Sequence, residues 1–141
     1  MLGRTVLARS VVVLLACSGA APVLVPALAK DCSQQDFTHE AREEAVRKAP
    51  SCREALAMME ACAYGATGDV SLGQIVREKC EAGFLAKLSK SQRQTYDRGI
   101  KLCDDKYKNE SGTMYRSFSA FCRATLAHDT AAKFAKAPPR K

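Results

Sequence analysis

Apolar residues recur along this chain at spacings of three and four, and nowhere in strict alternation, which predicts helices and no strands. Ser33 followed by Asp36 reads as a first helix start, with Phe37, Ala41 and Ala45 on one stripe until Pro50 ends it. Ser51 with Glu54 is a capping-box signature. Cys52, Ala55, Leu56, Met59, Cys62 and Ala63 then form the inward face of a second helix, closed by Gly65 and Gly68. A third opens at Asp69 or Ser71 and carries Leu72, Ile75, Val76 and Cys80 on one side, with a kink expected at Gly83 before Phe84, Leu85 and Leu88. Ser89 with Gln92 starts a fourth, striped by Tyr96, Ile100, Cys103 and Tyr107. Past the turn at Asn109-Glu110-Ser111-Gly112, the residues Met114, Tyr115, Phe118, Phe121, Cys122 and Leu126 mark the strongest amphipathic face, with fraying expected after His128. The predicted fold class is all-α, a small bundle of four to five short helices.

Residues 1–29 read as a cleaved signal peptide. Arg4 and Arg9 precede an uncharged apolar run from Val11 to Ala29, which closes on the small-residue pattern Ala27-Leu28-Ala29. The expected location is therefore periplasmic or secreted. Leu14-Leu15-Ala16-Cys17 also looks like a lipobox, so anchoring as a lipoprotein through Cys17 is the alternative. An uncleaved membrane anchor is weakened by Gly19, Pro22 and Pro26. The expected division is a signal peptide over 1–29, a helical domain over 30–136 and a disordered basic tail over 137–141.

Of the 7 cysteines, all but Cys17 remain after cleavage: Cys32, Cys52, Cys62, Cys80, Cys103 and Cys122. An even number in a short exported chain reads as three disulfides. No Cys-x-x-Cys occurs, which argues against a structural zinc, covalent haem or thioredoxin-type site. Cys52 and Cys62 lie on one predicted helix, about 15 Å apart along its axis, and cannot join each other. Cys52 and Cys80 are almost equidistant from the turn at Ala66–Thr67, so an antiparallel hairpin brings them together. Cys103 and Cys122 flank the next turn with a small offset that requires skewed helix ends, which leaves Cys32 for Cys62. With no Trp and few aromatics to fill a core, bridges worth about 2–4 kcal/mol each are a large share of the stability.

The net charge is +7, lowered by two when Arg4 and Arg9 leave. That excess is small and acids are interspersed with bases, which argues for solubility and at most weak attraction to anionic surfaces, and against nucleic acid. His39 and His128 sit apart in sequence and read as solvated side chains, each without the oriented partners a general base requires. Their convergence with a carboxylate and a hydroxyl would reopen the enzyme reading. The neighbouring acids Glu43-Glu44 and Asp104-Asp105 point about 100° apart on a helix and do not form an acid–base pair. No nucleophile elbow or phosphate loop occurs, and no cofactor or catalytic residue is assigned.

Candidate partner-binding residues are Tyr115 and Arg116, types enriched at binding hot spots, and the basic group Lys87, Lys90 and Arg93. The last three read otherwise as cations at a helix end, where they suit the dipole. A pocket joining Tyr96, Tyr107, Tyr115 and Phe118 would favour ligand binding. Asp31-Cys32 and Met59-Glu60-Ala61-Cys62-Ala63 are similar to stretches of the small helical, cysteine-containing lysozyme inhibitors of bacteria. That resemblance implies inhibition of an exported hydrolase, although a basic inhibitor suits a basic enzyme poorly. The expectation is a non-enzymatic binding module of the bacterial periplasm or cell envelope. The alternatives are a hydrolase inhibitor and a lipid-tethered structural protein.

Overall fold

The structure is a computed structural model and describes Cys32 and residues 38–136. The expected signal peptide, Cys17, Ser33, Phe37 and the basic tail fall outside those residues. Five α-helices follow in order: α1 (His39–Lys48), α2 (Cys52–Cys62), α3 (Asp69–Glu81), α4 (Lys90–Tyr107) and α5 (Thr113–Lys136), with a 3₁₀ turn at Leu85–Lys87 between α3 and α4. No strand occurs among the described residues.

Local chemistry accounts for most helix ends. Thr38, not Ser33, caps α1, its hydroxyl accepting from the Ala41 amide. Ser51 accepts from the Glu54 amide and returns its hydroxyl proton to the Glu54 carboxylate at 2.9 Å. Ser89 and Gln92 form a complete capping box at the start of α4. α3 stops at Glu81 instead of kinking through Gly83, whose amide closes onto the Cys80 carbonyl before the 3₁₀ turn.

The core face of each helix matches the sequence pattern unevenly. α3 buries Leu72, Ile75, Val76 and Cys80 as expected, together with Asp69 and Gly73. α1 turns Val46 and Ala49 inward, leaving Ala41 and Ala45 half-buried. α5 departs most. Its buried residues are Ser117, Ala120, Ala124 and Ala127, whereas Met114 and Phe118 are exposed and Tyr115 and Phe121 only half-buried. The cause is close contact with α3: a Cβ on Gly73 would lie 3.0 Å from both the Cβ and the carbonyl oxygen of Ala120. Only a face of small side chains lets the two backbones approach that far. α5 also continues beyond His128, because Ala131 and Phe134 pack on the core and hold its last turns.

The disulfides join Cys32 to Cys62, Cys52 to Cys80 and Cys103 to Cys122, with Cα–Cα separations of 5.0, 4.8 and 5.5 Å. Hairpin geometry singles out Cys52–Cys80 and admits Cys103–Cys122 with an offset, and Cys32–Cys62 is the pair that remains. Cys52 at the start of α2 meets Cys80 near the end of α3, so those helices run antiparallel. Along the second hairpin Gly99 faces Leu126, Cys103 faces Cys122 and Tyr107 faces Phe118. Each four-residue step along α4 is matched by four back along α5, which absorbs the offset anticipated at the turn. Bridges of this kind persist in an oxidising compartment. Among the described residues no helix is long and apolar enough to cross a membrane.

Candidate functional site

The two groups of partner-binding candidates fall at opposite ends of α4. Lys87 closes the 3₁₀ turn and donates to the Gly83 carbonyl at 3.1 Å, while Lys90 and Arg93 occupy the first turns of α4. Helix direction therefore overturns the dipole argument for Lys90 and Arg93: both stand at a positive end. Arg93 is compensated by Asp97, at 2.9 Å from its Nε. Tyr115 and Arg116 lie beside the α4–α5 turn, about 25 Å away at the rise of an α-helix. One compact partner site cannot include both groups.

At that far tip, Tyr107, Tyr115 and Phe118 pack with ring centroids 5.8–6.1 Å apart. Asp104, Tyr107, Glu110, Tyr115, Arg116 and Ser119 line a shallow concavity of about 160 Å³ there. Asp104 holds Arg123 at 2.7 Å and accepts from Ser119 at 3.1 Å, so the concavity is braced by an ion pair rather than left open-charged. Asp105 turns away to Lys101, whose ammonium at 2.8 Å holds its carboxyl below the usual range. The neighbouring acids diverge, as expected.

The larger concavity, about 420 Å³, lies between the first half of α4 and the last turns of α5. Its apolar surface comes from Leu88, Tyr96, Leu126 and Phe134, and its polar rim from Ser91, Gln92, Thr95, Thr130 and Lys133. Residues 88, 92, 95 and 96 recur at helical spacing on one side, and 126, 130, 133 and 134 on the other, so two helix faces make the groove. Gly99 sets its width at one end: a Cβ there would come 2.8 Å from a Leu126 methyl. The Tyr96 ring packs edge-on to Phe84 at 5.3 Å, and its hydroxyl donates to Glu81 at 2.8 Å. Burial, then that carboxylate, push the phenol well above its ordinary pKa, so the ring serves as a neutral wall.

The rim hydroxyls are not equivalent. Thr95 donates to the Ser91 carbonyl at 3.0 Å and Thr130 to the Leu126 carbonyl at 2.7 Å. The Ser91 hydroxyl and the Lys133 ammonium make no hydrogen bond or ion pair to other described residues. Among the described residues Lys133 is the only charged side chain of the lining. Tyr96 thus belongs to one concavity and Tyr107 and Tyr115 to another, and the four-aromatic pocket does not form. The expectation of fraying after His128 is what hid the groove, since three of its lining residues, Thr130, Lys133 and Phe134, lie beyond that point.

His39 is only partly solvated, its side chain 37% exposed, and it has partners on two helices. Its Nε2 lies 2.9 Å from the Ser71 hydroxyl and 2.9 Å from the Glu43 carboxylate, joining α1 to α3. Hydrogen bonding to Ser71, ahead of the His39 charge, draws Glu43 below its ordinary pKa. This is the combination of histidine, carboxylate and hydroxyl named above as the mark of an enzyme. The connectivity is different from a relay, however. A base that activates a hydroxyl uses one ring nitrogen for the nucleophile and the other for its orienting carboxylate. Here one nitrogen meets both, the Ser71 hydroxyl also donates to the Gly68 carbonyl at 3.0 Å, and Nδ1 is buried without a partner among the described residues. His128 pairs only with adjacent Asp129, at 3.0 Å.

Met59 and Cys62, which carry part of the lysozyme-inhibitor resemblance, are core residues of α2. No family model, curated protein or solved structure matches this chain.

Proposed function

We propose that this protein is an exported, non-enzymatic binding module of the periplasm or cell envelope, and that the groove between α4 and α5 is its ligand site. The observation that carries the reading is the groove itself: about 420 Å³, with an apolar floor and a few polar groups along one rim. That volume and lining are typical of small-molecule sites. The disulfide on Cys103 and Cys122 supports it by fixing the register of the two walls, so the concavity is formed before any ligand arrives. The doubled use of His39 Nε2 supports a structural role for that cluster over hydrolysis.

Titration of the oxidised, isotope-labelled protein with decanol, followed by amide NMR, tests this reading. Shifts at Thr95, Leu126 and Thr130 that saturate together are the expected result. Shifts that never saturate, or that centre on Tyr107 and Tyr115, reject the groove.

A further inference from the structure

We infer that the groove selects a free single-chain amphipathic anion, its alkyl chain against Leu88, Tyr96, Leu126 and Phe134 and its head group at Lys133. This rests on the groove being the binding site and adds the class of ligand. Three observations point the same way. Among the described residues no acidic side chain lines the groove, and its one charge is positive. Lys133 has no acidic partner among the described residues; the same holds for Lys79, Lys90, Lys106 and Lys136, but of these only Lys133 lines the groove. Thr95 and Thr130 have given their protons to backbone carbonyls, so the donors on the rim are Ser91, the Gln92 side-chain amide and Lys133. A carboxylate can accept from these donors and brings the missing counter-charge, which a neutral head does not.

The size argues for one chain. A cavity of about 420 Å³ sits at the small end of ligand sites, room for one alkyl chain.

Decanoate and decanol, compared by calorimetry at pH 7.5 on the oxidised protein, separate the class from the site. Decanoate is expected to bind about two- to fivefold more tightly, the range of an exposed ion pair. Lys133→Gln is expected to weaken decanoate more than decanol, which removes that advantage. Octanoate, two methylenes shorter, binds about fifteenfold more weakly than decanoate. Equal affinity for decanoate and decanol overturns the anion assignment while leaving the groove as a site. Failure of both to bind overturns the groove reading itself. Co-sedimentation with phosphatidylglycerol vesicles, in a protein that ignores monomeric decanoate, assigns the surface to a bilayer and overturns the free-ligand inference.

Discussion

The Asp69 carboxylate sits fully out of solvent among three donors. Its Oδ1 accepts from the Tyr64 amide at 3.1 Å, and its Oδ2 accepts from the Ala66 amide at 3.1 Å and the Ser117 hydroxyl at 2.6 Å. Two of these bonds close the loop that follows α2, and the third pins α5 to the first turn of α3. Burying the carboxylate is tolerable because both oxygens meet donors, and because a carboxylate at the start of a helix faces the positive end of its dipole. Removing it strands two amides and a hydroxyl. Asp69→Ala is expected to cost about 3 kcal/mol or more, and Ser117→Ala about 1–2 kcal/mol, read as losses in the urea midpoint with an unchanged slope. The sequence marked Asp69 only as a helix start. Its burial was not legible there, because the side chain that brings α5 onto it lies 48 positions further on. The setting of His39 was half legible for the same reason: Glu43 lies four residues along α1, but Ser71 comes from α3.

At the scale of the helices, the regular stripes were the legible part. α3 buries the residues its spacing selects, whereas α4 buries Tyr96 and Cys103 of its stripe and leaves Ile100 and Tyr107 half-buried. α5 has two candidate faces, one aromatic and one of small residues, and hydrophobicity favours the aromatic one. Packing decides for the other. α3 crosses it at Gly73, where large side chains on either helix would hold the backbones apart. Gly73→Ala therefore tests the crossing. Although alanine favours helix by about 1 kcal/mol over glycine, its methyl would meet backbone that cannot move aside, and a net loss of about 1–3 kcal/mol in thermal or urea unfolding is expected. A gain in stability would mean that the helices are free to separate slightly. The groove follows from the same crossing: with small residues committed to α3, the larger ones on the flanks of α5, Leu126 and Phe134 among them, are left to meet α4 and Phe84.

In the whole molecule the bridges close loops spanning 30, 28 and 19 positions. On the chain-entropy account each removes about 3–4 kcal/mol of freedom from the unfolded state, substantial support for a core whose largest fully buried side chains are Phe84, Met59 and Leu72. Two bridges lie wholly within the segment from Cys32 to Cys80, and the third wholly between Cys103 and Cys122. None crosses from α3 to α5. Those two helices are held by Asp69 and Ser117, by the approach at Gly73, and by aliphatic contacts alone. The stretch between Ala82 and Ser89 is thus the sole covalent tie between two separately cross-linked halves. A single protease cut there in the oxidised protein is expected to leave a particle that still migrates as one under native conditions. The same nicked material should part into two bands in denaturant without any reductant, and a band that stayed whole would reveal a sulfur link between the halves.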